Sequence, residues 1–227
     1  AGGNRGCDVF VSEADRREYL IDLAAWRTDR GLENWGWCLM SNHLHLIAVP
    51  RREDALARAI GRVHQRHARR VNALRGWTGH LWANRFYSTP LDEAHLWTAI
   101  KYVELNPVRA GLARRAEDWP WSSARAHAGL AESGLLAAGR PFGGRQPHPL
   151  TGRPLPWADW LALGEEPEAI DRLRLATRTG RPCGSESFVQ SMESQLRRPL
   201  APQKRGPKPG RKGDPEEKLT TQKGLFR

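Results

Sequence analysis

Two histidines separated by a single residue, His43 and His45, stand inside the run Asn42-His43-Leu44-His45-Leu46-Ile47-Ala48-Val49-Pro50. Its apolar content reads as a buried strand. Side chains of a strand alternate faces with a period of two, so both imidazoles point to one side while Leu44 and Leu46 point to the other. A pair of neutral imidazoles on a rigid sheet is half of a divalent-metal site. The same spacing suits a partly solvated polar face equally well, so the pair acquires chemical meaning only with a partner from elsewhere in the chain.

The segment Ala99-Ile100-Lys101-Tyr102-Val103-Glu104-Leu105-Asn106-Pro107 offers that partner. Leu96, Ile100 and Val103 recur at helical spacing, and Pro107 disfavours helical geometry in the residue before it, which predicts a helix ending near Asn106. Tyr102 and Asn106 are four apart and share a helical face, so a phenol and an amide oxygen can address one point in space. Two plainer readings stand beside this one. A tyrosine on an amphipathic helix is commonly a core residue with its hydroxyl at the rim, and an asparagine before proline is commonly a C-cap.

These residues carry a resemblance. His43-Leu44-His45 resembles the HUH motif of single-tyrosine transposases. Tyr102-Val103-Glu104-Leu105-Asn106-Pro107-Val108-Arg109-Ala110-Gly111-Leu112 resembles the nucleophile helix of their REP-associated group. Gly79-His80-Leu81-Trp82-Ala83-Asn84-Arg85-Phe86-Tyr87-Ser88 and Trp119-Pro120-Trp121-Ser122-Ser123 are similar to further stretches of that group, in the same order. The likeness covers residues 4 to 128, with a weaker echo at 180 to 188. It implies that Tyr102 attacks a DNA phosphodiester, that His43 and His45 are metal ligands with Asn106 as the third, and that the metal is magnesium or manganese. By ligand softness alone, two imidazoles and an amide oxygen suit manganese or zinc, whereas magnesium prefers oxygen ligands.

The implied chemistry is sound from below. A phenol with a pKa near ~10 is a weak nucleophile at neutral pH, so its surroundings must polarise the phosphate and favour phenolate character. A divalent cation does both, acting as a Lewis acid on a non-bridging oxygen and positioning the phosphate in line. A covalent phosphotyrosine conserves the bond for rejoining, which needs no nucleotide cofactor. No Gly-rich phosphate loop is evident in the sequence.

The elements that must position these residues follow from patterning. Ser12 caps an expected helix from Glu13 to Arg30, with Tyr19, Leu20, Leu23 and Trp26 on its apolar side. Trp35 to Met40 and His43 to Val49 read as a hairpin. A long helix is expected from Glu53 to Leu74, with Leu56, Ile60, Val63, His67, Val71 and Leu74 inward, His64 exposed, and Arg58, Arg62, Arg66, Arg69 and Arg70 forming a basic face. That face is either solvated or a phosphate rail, and Arg85 joins it as a DNA-contact candidate. Residues 77 to 91 are expected to add a strand. The whole reads as an α+β sandwich of helices over an antiparallel sheet, and the resemblance implies a ferredoxin-like sheet.

The organisation expected along the chain is a catalytic domain at 1–128 whose first strand is missing, a linker at 129–156, a helical region at 157–196 and a disordered basic tail at 197–227. Tryptophans 82, 97, 119 and 121 flank the catalytic segments, where indoles either pack or stack on unpaired bases. At 227 residues with 39% hydrophobic content the chain can bury a core. Its net charge of +11 is concentrated in the tail, where ten Lys+Arg oppose three Asp+Glu, which favours an anionic partner. Lys204, Arg205 and Lys208 lie in an extended, Pro- and Gly-rich stretch suited to following a phosphate backbone. The three cysteines share no motif spacing and read as small buried hydrophobes. No apolar run approaches the eighteen or so residues needed to span a bilayer, and no signal pattern opens the chain, so a cytoplasmic location is expected.

The expected activity is metal-dependent transposition or cleavage of single-stranded or hairpin DNA, by a monomer or homodimer. Its rivals are a non-cleaving DNA-binding protein derived from a transposase and a replication-initiator or relaxase-type nickase using the same site.

Overall fold

The computed structural model describes residues 1–139, 145–147 and 152–200. After a single 3-10 turn at Asn4–Gly6, the chain forms α1 (Glu13–Arg30), β1 (Leu32–Leu39), β2 (Leu44–Pro50), α2 (Ala55–Arg75), α3 (Glu93–Glu104), α4 (Asn106–Arg109) and α5 (Ala124–His127). The short pair β3 (Arg145–Pro147) and β4 (Pro154–Pro156) precedes α6 (Trp157–Ala162), α7 (Pro167–Thr179) and α8 (Glu186–Leu196).

Local chemistry starts α1 where the sequence predicts. The Asp15 amide donates to the Ser12 hydroxyl at 3.1 Å while the Ser12 amide donates back to the Asp15 carboxylate at 2.9 Å, a reciprocal cap that satisfies two otherwise orphaned donors. β1 and β2 pair antiparallel with Cys38 opposite His45 and Leu39 opposite Leu44. The register slips between Asn34 and Gly36, a bulge that bends β1 under α3. Gly36 is required there, because a Cβ on it would lie 2.1 Å from Cδ1 of Ile100.

The hairpin divides two apolar cores. Leu39, Leu44 and Trp37 pack with Tyr19 and Leu23 of α1 and Ile60, Val63 and Val71 of α2. Cys38, Met40 and Ile47 face the other way, onto Leu96, Ile100 and Val103 of α3 and on to Trp157, Trp160 and Leu173 of the C-terminal helices. The alternation that puts Leu44 in one core is what turns His43 and His45 toward α3. The result is the expected α+β arrangement of helices over an antiparallel sheet.

Several expectations change in detail. Residues 77 to 91 form no strand; they contribute isolated bridges, Gly3 to Trp82 and Leu91 to Cys183, with Gly79 in a left-handed turn at φ +92°. Where the first strand is expected to be missing, Gly2 bridges His43 and Gly3 bridges Trp82, so residues 1–3 lie hydrogen-bonded between the histidine strand and residue 82. Leu74 is 74% exposed rather than inward. His64 is buried, stacked on Trp82 with centroids 4.1 Å apart. Asn106 does not close α3: Leu105 caps it and Asn106 opens α4, where Pro107 is tolerated because first-turn amides need no intrahelical acceptor. Within the expected linker, Leu135, Leu136 and Ala137 are buried. The tail residues Lys204, Arg205 and Lys208 lie outside the described residues. Among the described residues no helix is long and apolar enough to cross a membrane.

Candidate active site

The hairpin and α3 bring three of the four expected catalytic and metal-site side chains into one ring cluster. The His43 and His45 rings pack perpendicular with centroids 4.9 Å apart, and the Tyr102 ring packs perpendicular on His45 at 5.6 Å. The phenol thus arrives on the histidine face of the sheet from the facing helix.

The imidazoles are prepared as neutral donors. His43 Nδ1 lies 2.6 Å from the Asn42 side-chain oxygen, an acceptor, so Nδ1 carries the proton and Nε2 keeps its lone pair. His45 Nε2 is buried and makes no hydrogen bond, an orphaned acceptor that a cation would satisfy. Burial lowers the pKa of His43, and that of His45 is pushed down to about 3, by burial first and then by the nearby basic groups, His43, the N-terminal ammonium and Arg109. Neither ring is protonated at neutral pH, which is the state a metal requires. No group of three His, Cys, Asp or Glu side chains surrounds a common point among the described residues. The side chain of Asn106, expected from the sequence as the third ligand, is buried. Its nitrogen donates to the Tyr102 carbonyl at 3.0 Å and the Val103 carbonyl at 3.5 Å.

Two arginines that the spacing argument did not single out flank the phenol. The Arg109 guanidinium stacks 4.3 Å from the Tyr102 ring centroid, donates to the Tyr102 carbonyl and is ion-paired with Glu165. Arg174, from α7, lies 5.7 Å from the same ring, and the Tyr102 side chain beside it pushes its pKa up. Arg109 belongs to the quoted motif, seven residues from Tyr102, but the interruption at Leu105 hides the shared face. Glu165 and Arg174 reach the site from more than sixty residues away, and no local pattern announces them.

The basic face of α2 is largely committed to carboxylates. Arg66 and Arg70 pair with Asp22 of α1 at 3.1 and 3.3 Å, and Arg58 pairs with Asp54 at 2.8 Å. Arg62 donates to Gln65 at 3.4 Å, and Arg85 is exposed in the irregular segment after α2. Arg66 and Arg70 thus fasten α2 to α1, which reduces the charge they can present to a phosphate chain.

Beneath the tyrosine, the Glu104 carboxylate is fully buried and accepts hydrogen bonds from Ser123 Oγ, His127 Nδ1 and Trp157 Nε1 at 2.5, 2.6 and 2.7 Å. This network ties the last turn of α3 to α5 and α6.

No curated protein matches the chain. A solved structure described as "Structure of the REP associates tyrosine transposase bound to a REP hairpin" is similar at 20% identity and a TM-score of 0.45, over 63% of this chain and 86% of that one. The family model described as "Transposase IS200 like" matches residues 8–106. That stretch carries His43, His45, Tyr102 and Asn106.

Proposed function

We propose that this chain cuts and rejoins single-stranded DNA at hairpin repeats through a covalent 5′-phosphotyrosine on Tyr102. The observation that carries the reading is the perpendicular packing of the Tyr102 ring on His45, beside a buried Nε2 that lacks a partner. In the cleavage step the Tyr102 Oη–P bond forms as the P–O3′ bond breaks. The phenolic proton is released to solvent and the departing 3′ oxygen takes one up, so the step is balanced without an oxidant or a nucleotide. Attack by another 3′ hydroxyl reverses it and joins the strands.

A magnesium or manganese ion held by His43, His45 and Asn106 would supply Lewis acidity to a non-bridging oxygen. The chain's own contribution is orientation. The α3 scaffold holds the phenol, the Asn42 oxygen fixes the His43 tautomer, and the packed hairpin keeps both imidazoles in one geometry. The net charge of +11 draws an anionic strand toward the protein.

The test incubates the protein with a 3′-labelled single-stranded hairpin and manganese and resolves the products on a denaturing gel. The native chain is expected to give a covalent adduct. Tyr102→Phe is expected to give none while binding the hairpin with nearly native affinity, and Tyr87→Phe serves as the control. An adduct that persists in Tyr102→Phe, or a native chain that binds without cutting, overturns the proposal.

A further inference from the structure

The C-terminal helices lie outside the matched domain, yet one of them touches the proposed nucleophile. Helix α7 buries Ala169, Ile170, Leu173 and Ala176, and Leu173 and Ala176 belong to the same core as Ile100 and Val103 of α3. Arg174, next to Leu173, is thereby carried on a rigid element to within 5.7 Å of the Tyr102 ring centroid.

The two guanidinium groups at Tyr102 differ in what they have left to give. Arg109 is committed to the Tyr102 carbonyl and the Glu165 carboxylate, so its charge is countered and its donors are directed at the protein. Among the described residues, the carboxylate that pairs with Arg174 is Asp171, at 3.4 Å, with both side chains more than half exposed. Such a surface pair holds a side chain weakly. A guanidinium has five donors, so Arg174 keeps the capacity to engage the phenol and a phosphate oxygen together.

We propose that Arg174 is a positioning residue for strand cleavage. It orients the Tyr102 hydroxyl and takes up the negative charge that gathers on the phosphodiester as the Oη–P bond forms and the P–O3′ bond breaks. The C-terminal region is then part of the active centre, not an appendage. The inference rests on the reading of Tyr102 as the nucleophile. Its substrate is the same phosphodiester, and the added content is that a cation from α7 must be present for efficient attack.

The experiment measures single-turnover adduct formation on the labelled hairpin by the full chain and by Arg174→Ala, Arg174→Lys and Arg178→Ala, with hairpin affinity and thermal stability followed in parallel. Arg174→Ala is expected to slow adduct formation roughly 10- to 100-fold, below the ~100- to 1000-fold typical of removing one preorganised buried donor, because the Arg174 side chain is half exposed. Its affinity and melting temperature should stay near native. Arg174→Lys should recover part of the rate, since the charge is kept but the bidentate fork is lost. Arg178→Ala, an exposed change on the same helix, should behave as native. Millimolar guanidinium ion should raise the rate of Arg174→Ala and leave Tyr102→Phe inactive, a rescue that a merely structural role does not produce. Native rates in Arg174→Ala, or a slow variant that guanidinium fails to restore, overturn this inference alone. A native chain that forms no adduct overturns it together with the proposed function.

Discussion

Replacing Glu104 with alanine tests how the tyrosine helix is held. The carboxylate is fully buried on the last turn of α3, two residues from both Tyr102 and Asn106, and accepts from Ser123, His127 and Trp157 at 2.5 to 2.7 Å. Truncation removes the acceptor from three buried donors at about 1–3 kcal/mol each and leaves a cavity, although some of these groups can relax toward other partners. The expected cost is about 4 kcal/mol, a large part of the 5–15 kcal/mol typical of a domain. Glu104→Gln should cost less, about 2 kcal/mol, because one oxygen remains for Ser123 and His127 while the new amide meets the Trp157 donor head on. Urea denaturation read by tryptophan fluorescence measures both values. A loss below about 1 kcal/mol for Glu104→Ala would falsify the claim that this network fastens α3 to α5 and α6.

Gly36→Ala should destabilise the fold by about 1–3 kcal/mol, since its Cβ meets Ile100 Cδ1 at 2.1 Å; pairing it with Ile100→Val should restore most of that in the same denaturation assay. His64 has its pKa pushed down to about 3 by burial, so below the ordinary value near ~6.5 the unfolded chain takes a proton that the folded chain refuses. Stability is then complete above that value and falls on acidification, by about 2 kcal/mol from this group at pH ~5, with His45 adding in the same direction; a His64→Phe variant whose acid sensitivity equals that of the native chain would refute the assignment. His43→Ala and His45→Ala should each abolish metal-stimulated cleavage, and Asn106→Ala should raise the metal concentration required, whereas Leu44→Ala, buried in the opposite core, should act on the melting temperature instead. Calorimetry showing undiminished manganese binding in the double histidine variant would place the metal elsewhere.

The sequence alone determined the local features. Ser12 at the start of α1, the period-two placement of His43 and His45 opposite Leu44, and the helix carrying Tyr102 depend on neighbours within a few residues, and propensity and patterning report such contacts directly. The region around Asn106 was legible as a break and not as the start of α4, because proline forbids the preceding helical turn yet favours the first turn of a new one. Exposure was harder to read. His64 and Leu74 lie on the same helix as the core residues, and only the position of α1 and the indole of Trp82 decide that the histidine is covered while the leucine is not. The arginines of α2 read as a free basic face until Asp22 was seen to meet two of them. The second half of the site was illegible for a stronger reason. Arg174, Glu165 and Trp157 come to Tyr102 and Glu104 through the packing of α6 and α7 on α3, and a contact across fifty to seventy residues leaves no periodicity in one chain. Spacing thus specified which groups could do chemistry, and burial of the helices against one another decided which charges stand beside them.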